Sequence, residues 1–169
     1  MTGPEVWLRG PLPEYIDELQ PVAHSLLQVR EEVSRAATVP DDRLWARPGG
    51  AASIGFHLKH LAGSLDRLMT YANGKRLNAA QLDALAAEES PTGERADALV
   101  SRALAAIDRA LTQVRTTPLC TLDETREVGR SRLPSTVLGL LFHAAEHAQR
   151  HSAQIITTRK LLEDNRTTW

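Results

Sequence analysis

The chain has 169 residues, of which 42% are apolar, 24% charged and only 4% aromatic, and its formal net charge is −1. This suits one globular domain with a core built from aliphatic side chains, and a charge so near zero gives no general pull toward nucleic acid or an anionic membrane. No run approaches the ~18 apolar residues of a membrane span, the opening MTGPEVWLRGPLPEY does not read as a signal peptide, and the single cysteine, Cys120, rules out an internal disulfide, so a cytoplasmic protein is expected.

Pro4, Pro11 and Pro13 keep the first dozen residues irregular, and residues 1–20 read as an extension on a single domain whose core spans about 21–162. The spacing of Val22, Leu26, Val29 and Val33 predicts a first helix from Pro21 to Ala37. In the loop TVPDDRLWARPGG, Asp41 is expected to cap a single turn and Trp45 to plug the end of the core. Ser53 is a good N-cap for a second helix, striped by Ile54, Leu58, Leu61, Leu65, Leu68 and Ala72 and closed by Gly74 after Asn73. A short helix follows from Asn78 to about Glu88, broken by SPTG.

A third long helix is expected from about Thr92 to Pro118, carrying Leu99, Ala103, Ala106, Ile107, Ala110, Leu111 and Val114 inward. CTLDETREVGRSRLP is strand-like or irregular. The last helix runs from about Pro134 to Leu162, with Val137, Leu141, Ala144, Ala148, Ile155 and Leu162 on its buried stripe. Four long amphipathic helices around one core imply an all-α four-helix bundle, with the stretch from Arg76 to Glu94 as the candidate crossover. Cys120 reads as a small buried hydrophobe, Arg126, Arg130 and Arg132 as a solvated loop, and PGGAAS as a turn. The pairs Glu31–Glu32, Asp41–Asp42 and Glu88–Glu89 read as solvated caps and faces, and an Asp66 or Arg67 surface ion pair is expected.

Five of the six histidines fall in two stretches, GFHLKHLAGSLDR on the second helix and FHAAEHAQRHSAQ on the last. At 100° per residue, His143, His147 and His151 lie about 120°, 80° and 40° from the buried stripe, all on one flank, so they rise toward the core in that order. Gln154 shares the flank. On the second helix His57 lies about 60° and His60 about 120° from the stripe, which by itself slightly favours His57 as the more inward residue. Two histidines four apart on a helix can chelate one ion, and a third from a facing helix leaves an open position of the kind catalytic zinc sites use. His24, alone on the first helix, reads as a non-ligand. Imidazole donors suit zinc, nickel, copper or iron alike.

HLKHLAGSLDRLMTYANG followed by GLLFHAAEHAQRHSAQIITTRKLL resembles the DinB/YfiT-like superfamily of metal-dependent enzymes over most of the chain. The resemblance implies a four-helix bundle holding one divalent metal ion, zinc or nickel, on three histidines. It assigns these to His60 from the HLA context and to His147 and His151 from HAQRHSAQ. His57 and His143 then become lining or supporting residues. Gln154 matches the family glutamine, while Ala153 stands where the family has glycine. Relatives include S-transferases acting on low-molecular-weight thiols, a thiol-dependent isomerase and homodimers. The resemblance therefore implies a small-molecule substrate such as a thiol and a transferase, hydrolase or isomerase reaction. A non-catalytic metal-binding stress-response module, and a helical interaction protein without metal, are the competing readings.

Overall fold

In the computed structural model, which describes residues 3–36, 39–91 and 93–164, four long helices share one core. Helix α1 spans Gln20–Ala36 and buries Val22, Leu26, Val29 and Val33 as their spacing predicts. The expected end at Ala37 lies outside the described residues. Helix α2, Ile54–Ala72, begins where the Ser53 hydroxyl accepts the Phe56 amide and ends at Gly74, whose φ of +68° is the left-handed geometry of a helix terminus. Helix α3, Ala79–Ala86, opens with a reciprocal capping box between Asn78 and Gln81. Helix α4 covers Ala96–Thr116 and α5 covers Val137–Asp164.

Helix α1 packs on α4 and α5, and so does α2, so that α1 lies diagonal to α2 and α4 to α5. The Arg76–Glu94 stretch is therefore no crossover: with α3 in its middle it joins α2 to its neighbour α4. It is the links before α2 and before α5 that cross the bundle. Leu26, Leu58, Leu61, Leu99, Ile107, Leu141 and Ile155 are among the fully enclosed side chains of the common core, and Trp45 packs half-buried against its edge, flat on Gly55.

Two boundaries, the burial of Cys120 and the role of Asp41 differ from expectation. The last helix begins at Val137, not Pro134, because Thr125–Val128 (β1) and Leu133–Thr136 (β2) pair as an antiparallel hairpin that takes in Pro134 opposite Glu127. A two-stranded hairpin has only edge strands, which tolerate proline. The described start of α4 is Ala96; Thr92 lies outside the described residues. Cys120 is exposed rather than buried. Asp41 begins a single helical turn but does not cap it. Its carboxylate accepts the Ala96 amide at 2.8 Å and approaches Arg95 at 3.3 Å, so it caps α4 from another part of the chain. Asp41→Ala is expected to cost about 1 kcal/mol in a urea melt, with Asp41→Asn largely restoring the midpoint. Among the described residues no helix is long and apolar enough to cross a membrane.

Candidate metal centre

The facing surfaces of α2 and α5 bring three histidines together. His60, His147 and His151 each offer one ring nitrogen, and the three nitrogens lie within 4.8 Å of one another. His60 and His147 meet through their Nε2 atoms at 2.9 Å, and the His60 and His151 rings are 4.5 Å apart at their centroids. Imidazoles around one tetrahedral ion hold their nitrogens about 3.3 Å apart, between the 2.9 Å of the His60–His147 pair and the 4.8 Å that bounds all three.

The protonation states fit the same role. Burial, reinforced by the neighbouring imidazoles, pulls His151 down to about 3 and holds His147 below its usual range. Both are neutral at pH 7, as ligands must be. His147 Nδ1 is buried with no hydrogen-bond partner among the described residues. Three imidazole donors fit a divalent transition-metal ion.

His60 is fixed by a residue that its sequence hides. Its Nδ1 donates to Glu88 Oε2 at 2.6 Å, leaving Nε2 to face the other imidazoles. Glu88 is only 4% exposed, not solvated as the Glu88–Glu89 pairing suggests, and its second oxygen accepts Arg67 Nη1 at 2.7 Å. Arg67 is itself buried rather than part of a surface ion pair. Burial raises the Glu88 carboxyl, but the hydrogen bonds and charges of His60 and Arg67 outweigh it and hold the group below the usual carboxylate range.

Two further residues on α2 make this possible. Lys59 donates to the carbonyls of Ala87 at 2.5 Å and Ser90 at 3.0 Å, on either side of Glu88. Gly63 leaves room: a Cβ there would lie 2.5 Å from Glu88 Oε1 and 2.7 Å from Arg67 Nη1. The one legible signal was Gly63, a glycine inside an otherwise regular helical pattern, which marks a close approach.

The other candidate residues are placed as follows. His57 is buried, and its Nδ1 meets His151 Nδ1 at 3.0 Å, so it supports that ring from the helix that also carries His60. Burial, then the charge of His60, pulls it down to about 4. Phe56 stacks on His60 at 5.3 Å and turns its edge to His151. His143 is half-exposed beside Glu146, which also pairs with Arg150. Gln154 is exposed and takes no part in the hydrogen bonds that tie the cluster together. His24 reaches the Gly10 carbonyl, well apart in role from the cluster, and Asp66 accepts from Gln81 on α3.

Because His57 and His151 titrate lower folded than unfolded, the unfolded chain binds more protons between their folded values and about 6.5. The metal-free protein should therefore lose stability as pH falls from about 6.5 toward about 4, by up to about 1.4 kcal/mol per pH unit for each histidine. Urea melts across that range check this, and His57→Phe should give a shallower slope.

A sequence model described as DinB superfamily matches residues 25–155, well over half of the chain. No curated protein matches it.

Proposed function

The chain belongs to the DinB superfamily, and on that premise we infer that it is a metal-dependent enzyme holding one zinc or nickel ion on His60, His147 and His151 and acting on a small thiol. The observation that carries the reading is the convergence of three imidazole nitrogens within 4.8 Å, one of them oriented by a buried carboxylate. When bound, a divalent ion supplies a Lewis acid that lowers the pKa of a coordinated thiol or water and so yields a nucleophile at neutral pH.

The protein's own part is to prepare the donors. Glu88 accepts the His60 Nδ1 proton and so sets the tautomer, and Arg67 keeps Glu88 ionised. Burial keeps His147 and His151 neutral. The Phe56 ring covers His60 and also lines a cavity of about 280 Å³ with Trp45, Arg47 and Glu89. On this reading that cavity, joined to the histidines through the Phe56 ring, is where part of a small molecule would sit. The reading places the protein in a reducing compartment, where thiols persist and the exposed Cys120 stays free.

The test is a thiol-transfer assay on metal-loaded protein purified without a histidine tag, with several low-molecular-weight thiols and one electrophile. Turnover that disappears with chelation and returns with metal is expected. Retained metal with no turnover for any thiol would return the reading to a metal-binding module without catalysis.

A further inference from the structure

The turn after α2 and the β1–β2 hairpin enclose a second cavity, of about 730 Å³. Five cationic side chains line it: Lys75 and Arg76 from the turn, and Arg126, Arg130 and Arg132 from the hairpin. Among the described residues the only carboxylate in its wall is Glu127. Fifty residues of sequence separate the two groups, which is why the hairpin arginines alone read as a solvated loop.

Internal contacts neutralise only part of this charge. Arg132 Nε donates to Glu127 at 2.5 Å. Arg126 is spent on the fold, donating to the Ala72 carbonyl at the end of α2 and to Glu124, each at 2.8 Å. The side chains of Lys75, Arg76 and Arg130 have no ion-pair or hydrogen-bond partner among the described residues. Three like charges gathered in one concavity repel one another and focus a positive potential in it.

The frame is also set rather than loose. The strands pair from Thr125 to Thr136, and the turn between them holds Arg132 at φ +51°, a left-handed conformation uncommon for a residue with a side chain. Such an outlier persists where the surroundings over-determine it, often at a ligand clamp. Tyr71 and Leu82 complete the wall with an aromatic and an apolar surface, and Leu82 is 41% exposed. The volume is that of a small-molecule site. Tyr71 lies about 16 Å along α2 from His60, so this cavity is separate from the metal centre.

We propose that this cavity binds a small organic molecule carrying two linked phosphate groups, with the phosphates among Lys75, Arg76 and Arg130 and the organic part against Tyr71 and Leu82. Charge-assisted hydrogen bonds from unpaired cations are the strong contacts available to such a group.

Calorimetric titration of the full chain at low ionic strength, with pyrophosphate, adenosine diphosphate and sulfate, tests this. Saturable binding is expected for the two phosphate compounds, tighter for the nucleotide, with sulfate much weaker. Arg130→Ala should weaken nucleotide binding about tenfold, and Lys75→Ala with Arg76→Ala more than that, while circular dichroism and metal content stay unchanged. No saturable binding of either phosphate compound, or binding that the three substitutions leave intact, would overturn the site. Equal affinity for pyrophosphate and the nucleotide would overturn the seat for an organic part.

Discussion

Protein carrying His147→Ala and His151→Ala together should leave purification free of metal, where the unmodified chain retains about one ion. The two substitutions remove two of the three nitrogens that converge between α2 and α5. Loss of a mere supporting partner weakens metal affinity about 10- to 100-fold, and loss of two donors should exceed that by orders of magnitude. The experiment separates binding from folding, because alanine is the best helix former and both positions lie inside α5. Far-ultraviolet circular dichroism should therefore be preserved. His143→Ala, at the half-exposed position, should keep the metal. Unchanged metal stoichiometry in the double variant would refute the assignment of the ligands.

The second large effect belongs to Glu88. Glu88→Ala strips the partner from both the His60 Nδ1 proton and the Arg67 guanidinium. Breaking a buried pair by removing one member leaves an uncompensated charge and costs about 3–5 kcal/mol. For a domain of this size that corresponds to a fall in Tm of roughly 10 °C. Metal affinity should fall about 10- to 100-fold at the same time.

Glu88→Gln, which still offers one acceptor, should lose less on both counts. Gly63→Ala provides an independent approach to the same contact, since its methyl would displace Glu88 and Arg67 without altering either. It should lower metal affinity in the same direction as Glu88→Ala. A Glu88→Ala protein with wild-type Tm and wild-type metal affinity would remove the carboxylate from the centre.

The helices were readable because each carries a repeating stripe of burial, and Val22 to Val33 or Ile54 to Ala72 say where it points without help from any other segment. The angular order of His143, His147 and His151 was readable for the same reason. Helical angles alone leaned toward His57 over His60, because they measure depth and not where ring nitrogens converge: both reach α5, but His57 goes deeper and meets only His151, while His60 on the flank meets His147 and lies within 4.8 Å of both nitrogens of the α5 pair. Glu88 could not be read at all. Its role depends on a link folding back over α2, and one acid in a pair looks like the other until Lys59 holds the backbone in place. Asp41 was misplaced for a related reason, since the amide it caps is on a helix that begins far downstream.

The grip of Lys59 on the Ala87 and Ser90 carbonyls has a kinetic consequence. The link bearing Glu88 runs along the surface, with Glu89, Ser90 and Pro91 exposed; the Lys59 ammonium ties down its backbone, while His60 and Arg67 hold the Glu88 carboxylate. Release of the Lys59 contacts would leave the carboxylate less firmly held against His60, and an ion bound there would lose part of the hydrogen bonding that orients one of its ligands. Ion escape and amide hydrogen exchange in the link should then share one local opening event. Lys59→Met should accelerate both together, in which case the lifetime of a bound metal would depend on the breathing of a surface loop as well as on the strength of the imidazole bonds.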